Sequence, residues 1–124
     1  MEEMRSFGYI CPHCGKAVLH QRSVFALSAA AARMECACGQ EALEAETDGT
    51  KFRFWVPCGV CGGHHQAECG ADAVLHGRGI GLACPEKQEL CCYIGEEQQV
   101  RRAMEELALR VEKEKAGGEE AFTD

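Results

Sequence analysis

The chain twice presents the pattern C-x-x-C-G followed, after nearly the same interval, by further cysteine. The first copy reads Cys11-Pro12-His13-Cys14-Gly15, then Cys36-Ala37-Cys38-Gly39, with 21 residues between Cys14 and Cys36. The second reads Cys58-Gly59-Val60-Cys61-Gly62, then Cys84-Pro85, with 22 residues between Cys61 and Cys84. Each copy opens after a strand-like run, Phe7-Gly8-Tyr9-Ile10 in one and Phe52-Arg53-Phe54-Trp55-Val56 in the other. A self-similar interval marks two related units, placed at 5–48 and 51–95. The joint, Glu46-Thr47-Asp48-Gly49-Thr50, contains the turn signal Asp-Gly. Units this short cannot each bury an adequate apolar core. The cysteines must therefore supply the missing stability.

Cysteine forms disulfides in oxidising compartments and binds metal in reducing ones. The N-terminus, Met1-Glu2-Glu3-Met4-Arg5, is acidic and no apolar run follows it. A secretory leader is therefore not expected, and a reducing cytoplasm is the expected compartment. No apolar run approaches the ~20 residues needed to span a bilayer, so no membrane association is expected. Metal is the expected use of the ten cysteines.

Cys11, Cys14, Cys36 and Cys38 make a complete set of four thiolates. Zinc suits such a set, since it accepts tetrahedral sulfur ligands. Iron is the chemical rival at this first site, because spacing does not separate the two metals. The C-x-x-C spacing lets one tight turn offer both sulfurs, and Gly15 and Gly39 permit the positive φ that closes such turns. A redox dithiol reading of Cys11-Pro12-His13-Cys14 would need a helix N-terminus in a βαβ setting. The β-rich stretch that follows argues against it.

The second set is incomplete. Cys58, Cys61 and Cys84 match Cys11, Cys14 and Cys36, but simple offset puts Glu86 where Cys38 should be. Candidates for the fourth ligand are His64, His65, Cys69, Cys91 and Cys92, in the order His65, His64, Cys91. Three states follow: a Cys₃His structural zinc, a lobe that has lost its metal, or a three-ligand zinc with an open position for hydrolysis. No catalytic residue is assigned. Cys91 and Cys92, adjacent on an expected strand, should point to opposite faces.

Strand signals fall at 17–27, 34–36 and 43–46 in the first unit, with 28–33 as a helical turn or hairpin tip. In the second they fall at 51–56, 66–69, 80–84 and 90–94, with an irregular turn expected at Gly77, Gly79 and Gly81. After Gly95 the period changes. Val100, Met104, Leu107 and Val111 lie on one helical face, which gives an amphipathic helix over 96–116. Gly117-Gly118 should end it, leaving an acidic flexible tail at 117–124.

The net charge of −7 is uneven: −1 over 1–57, −2 over 58–95 and −4 over 96–124. Arg101-Arg102 is the main basic pair, and it sits among glutamates. Nucleic-acid binding needs a basic face and is not expected.

The residues C-P-H-C-G-K and C-A-C-G of the first unit resemble the two metal-binding turns of the zinc-ribbon superfamily. The resemblance covers about 30 residues closely and about 90 through the repeat. It implies small antiparallel β units held by metal, mostly acting as adaptors in macromolecular assemblies. The run from Val56-Pro57-Cys58 through Cys84-Pro85-Glu86 to Tyr93-Ile94-Gly95 is similar to small bacterial proteins with tandem ribbons, a likeness that brings no function with it. Two departures stand out: C-x-C in the second turn, and no fourth cysteine in the second unit. The expected fold is two zinc-ribbon-like antiparallel β units followed by one C-terminal α-helix. The expected function is a non-catalytic zinc-binding adaptor with a protein partner. The alternatives are a metal- or redox-responsive regulator using the incomplete second site, and a zinc-dependent hydrolase.

Overall fold

Alternation of apolar and polar residues dictates most of the strands. In Lys51-Phe52-Arg53-Phe54-Trp55-Val56, every second residue is buried, as a half-covered strand requires. The computed structural model describes residues 3–123, with side chains through Val111. Its elements are β1 (Met4–Ile10), β2 (Ala17–Ser23), α1 (Val24–Ala29), β3 (Ala32–Glu35), β4 (Ala42–Thr47), β5 (Lys51–Pro57), β6 (His64–Gly70), α2 (Ala71–His76), β7 (Gly79–Ala83), β8 (Leu90–Gly95) and α3 (Glu97–Thr123). The order β-β-α-β-β thus occurs twice, before the final helix.

The two halves do not make separate sheets. One antiparallel sheet has the order β2-β1-β8-β7 and the other β3-β4-β5-β6. Each sheet therefore takes one hairpin from each half of the sequence. In the first sheet the seam is β1 against β8, with Phe7 opposite Ile94. In the second it is β4 against β5, with Ala45 opposite Phe54. The core lies between the sheets and contains Phe7, Tyr9, Met34, Leu43, Phe52, Phe54 and Ile94, all buried. Phe52 and Phe54 stack with ring centroids 5.9 Å apart.

The registers set the ends of this sandwich. Ile10 pairs with Ala17, and Tyr9 with Cys92, so the β1–β2 and β7–β8 turns share one end of their sheet. Glu44 opposite Trp55 does the same for the β3–β4 and β5–β6 turns. All four cysteine-bearing turns meet at that end. The short helices α1 and α2 close the other, each adding one fully buried side chain, Leu27 and Val74.

Strand β1 is buried from Arg5 to Ile10 without alternation. The reason is α3, whose Val100, Met104 and Leu107 cover the outer face of the first sheet beside Ile10. Gly8 permits that approach, since a Cβ there would lie 2.5 Å from Met104 Cγ. The helical period after Gly95 thus describes a packed face.

Local structure departs from the sequence reading in four places. The strand expected at 17–27 ends at Ser23, whose hydroxyl accepts the Ala26 amide at 3.0 Å and starts α1. The turn expected at 28–33 is consequently displaced, and Ala32 already belongs to β3. Helix α2 has no counterpart in the expectations. Gly77 ends it, while Gly79 and Gly81 lie in β7. Finally, α3 runs through Gly117-Gly118 to Thr123, past the expected stop. Glycine weakens a helix interior by about 1 kcal/mol relative to alanine and does not forbid it.

Candidate metal centres

Four turns carry the cysteines, and they share one backbone closure. The amide of the first cysteine donates to the carbonyl five residues on: Cys11 to Lys16 at 3.0 Å, Cys36 to Glu41 at 2.9 Å, Cys58 to Gly63 at 2.8 Å and Cys84 to Glu89 at 2.7 Å. In three of them glycine takes the left-handed position, at Gly15, Gly39 and Gly62. In the fourth, Gln88 adopts φ 58° and its amide donates to Cys84 at 2.7 Å. Gly15 and Gly62 make the same bond to Cys11 and Cys58. The fourth turn therefore keeps the backbone of a C-x-x-C turn, and Lys87 occupies the place of its second cysteine. The offset reading, which pointed at Glu86, misses this because the second turn is one residue tighter than the others.

Cys11, Cys14, Cys36 and Cys38 converge, with all four sulfurs within 4.8 Å of one another. Cys11 Sγ lies 3.7 Å from Cys38 Sγ, and Cys14 Sγ lies 3.4 Å from Cys36 Sγ. A tetrahedron with metal–sulfur bonds of about 2.3 Å has edges of about 3.8 Å, so the set fits one ion. The amide of Cys14 also points at Cys11 Sγ, 3.5 Å away, which stabilises charge on sulfur.

Cys58, Cys61, Cys84 and His65 converge in the same way. His65 Nε2 lies 3.0 Å from Cys61 Sγ and 3.1 Å from Cys84 Sγ. Strand alternation explains why it is His65. It pairs directly with Val56, which is buried, so both face inward. His64 takes the other face, where it stacks on Trp55 at 5.5 Å and donates to the Glu41 carboxylate. Four ligand atoms thus meet at each centre.

Three cysteines lie outside both sets. Cys91 falls at an irregularity of the β7–β8 pairing and donates its thiol to Leu82 O at 3.5 Å. Cys92 is fully buried and Cys69 is half-buried. The expectation that Cys91 and Cys92, pointing to opposite faces, do not share one core is corrected: both are buried in the cluster between the sheets, because the irregularity between Leu82 and Ala83 breaks the alternation at Cys91.

The environment of the thiols decides how readily they give up protons. Burial pushes Cys58 and Cys61 up to about 11. The Cys38 amide pulls Cys36 down, but burial and the neighbouring thiols outweigh it, leaving Cys36 at about 12. Cys14 is exposed, and the Lys16 amide brings it down to about 7. A metal replaces these protons, so each centre can trade proton release for ion binding.

Both sets are therefore chemically able to hold a metal ion. Among the described residues, no helix is long and apolar enough to cross a membrane. No family model matches the chain, and neither a curated protein nor a solved structure matches it.

Proposed function

We propose that this protein is a non-catalytic zinc-binding adaptor in which two structural ions hold together a β-sandwich that docks a protein partner. One observation carries the reading: each ligand set joins a turn of one sheet to a turn of the other. Cys11 and Cys14 close the β1–β2 hairpin, while Cys36 and Cys38 close β3–β4, in the opposite sheet. Cys58 and Cys61 close β5–β6, while Cys84 begins the β7–β8 turn. Ions so placed are bolts between layers, and their binding free energy is folding free energy. Four protein ligands at each centre match structural rather than open zinc sites.

Zinc is favoured over iron by the Cys₃His set, which is a zinc pattern. A reducing, cytoplasmic setting accords with ten unpaired thiols. The outer face of the second sheet supports the docking role. It holds a groove of about 590 Å³ lined by Arg33, Glu44, Arg53, Trp55, Gln66 and Glu68. Its arginines are matched by glutamates, Arg33 with Glu44 at 2.7 Å and Arg53 with Glu68 at 3.5 Å. A face neutralised in this way suits a protein better than a polyanion.

Metal analysis with thiol titration tests the reading. Two zinc ions per chain and at most three thiols reactive before denaturation are expected, since only Cys69, Cys91 and Cys92 lie outside the sets. Fewer than one tightly held ion, or ten reactive thiols in the native protein, would overturn it. A partner seated in the groove would change the emission of Trp55, the single tryptophan. A second reading, a metal-responsive regulator, draws on Cys91, a buried thiol beside Cys58 that gives the second centre a spare sulfur. It requires the second ion to exchange readily while the first stays bound.

A further inference from the structure

The turns that carry the two centres touch each other. Gly59 follows Cys58, and Ile10 precedes Cys11. A Cβ on Gly59 would collide with the Ile10 side chain and lie 2.8 Å from Ile10 O. Val60 continues the contact by packing against the cluster of Ile10, Val100, Met104 and Leu107. A second bridge runs from Glu41, which closes the Cys36 turn, to His64, the neighbour of His65. The turns of the two sites are thus packed into one end of the sandwich rather than separated by it.

We propose that the two centres bind metal cooperatively, each ion ordering the scaffold that the other needs. The inference rests on the reading of both sets as metal sites. Its basis is topological. Each ion must hold one turn from each sheet, so either ion fixes the same variable, the position of one sheet on the other. Once the first ion has ordered that interface, the second binds without the ordering cost. Linkage requires the effect to be mutual. Separate sheets for the two sequence halves would have made the sites independent.

Cobalt(II) competition against a chelator, and native mass spectrometry of the metal-free chain titrated with zinc, test the proposal. His65→Ala leaves the four thiolates of the first set intact. It is expected to weaken cobalt binding at that first set about tenfold, within the usual range of coupling between sites. Gly59→Ala keeps all eight ligands but disturbs the contact with Ile10. In the unaltered chain the one-ion species should stay minor at half-saturation, whereas in Gly59→Ala it should accumulate. Wild-type affinity at the first set of His65→Ala, or a one-ion species at its statistical share in the half-saturated unaltered chain, would refute cooperativity while leaving two metal sites standing. Absence of any tightly bound ion in the unaltered chain would instead remove the metal reading itself.

Discussion

Single residues show how few positions carry the metal chemistry and the fit of the layers. Cys14 is exposed, so its value lies in its sulfur and not in packing. Cys14→Ser should abolish ion binding at the first set and lower the melting temperature by about 10 °C or more. A loss of about 3 kcal/mol shifts a domain of this size by roughly that much. Circular dichroism melts check it, and an unchanged melting point would exclude a stabilising ion there. Among the described residues Arg5 is the one charged side chain buried in the core, 2 % exposed. Its guanidinium donates to Val74 O at 2.8 Å and also to Gly77 O, tying β1 to the C-terminal end of α2. Arg5→Ala should destabilise by about 2–4 kcal/mol, because the buried Val74 carbonyl and the half-buried Gly77 carbonyl lose their donors. Denaturant unfolding measures it. Gly8 is as constrained as Arg5 for the opposite reason, since any side chain there meets Met104.

At the scale of elements, the four turns are variations on one closed loop. This makes the second ligand set open to rearrangement. Lys87 holds the backbone place of a second turn cysteine, so Lys87→Cys in a His65→Ala background should restore a four-thiolate centre. The d–d absorption of bound cobalt distinguishes four sulfurs from three sulfurs and a nitrogen; no recovery of binding would show the turns not to be equivalent. The same elements predict a pH dependence. Burial holds the folded, metal-free Cys58 and Cys61 thiols near 11, above the ordinary thiol value of about 8.5. The neutral thiols therefore favour the metal-free fold below about pH 8.5, and that stability is lost as pH rises toward 11. Metal binding runs the other way, since it needs thiolates. Affinity should increase from pH 6 to 8, with protons released on zinc addition, as calorimetry in buffers of different ionisation enthalpy measures. An affinity independent of pH would show the thiols to be already ionised.

For the whole molecule, the interleaved sheets imply a single folding unit. A cut in the β4–β5 turn at Asp48-Gly49 separates the sequence halves but leaves each sheet with two of its four strands. Fragments 1–48 and 49–124 should each lack dispersed amide resonances, with or without zinc, and should recover them when mixed. An independently folded 1–48 would contradict the sandwich. Much of this molecule was legible in the chain. Cysteine intervals singled out the turns, because ligand spacing within a turn is a local property. Period-two and helical patterns placed most strands and the packed face of α3, because burial on one side imposes a fixed period. The partners of the hairpins were not legible. Each half contains two hairpins with similar apolar faces, and nothing local distinguishes pairing β1 with β8 from pairing it within its own half. Nor did the sequence reveal that β1 is covered on both sides, or that Lys87 stands in a ligand's place, since both depend on the backbone of distant segments. By itself the sequence determined the ligand chemistry and the strand periods; the choice of sheet partners, and with it the bridging of both layers by each ligand set, was decided only by tertiary packing, because side chains far apart in the chain compete for the same buried space.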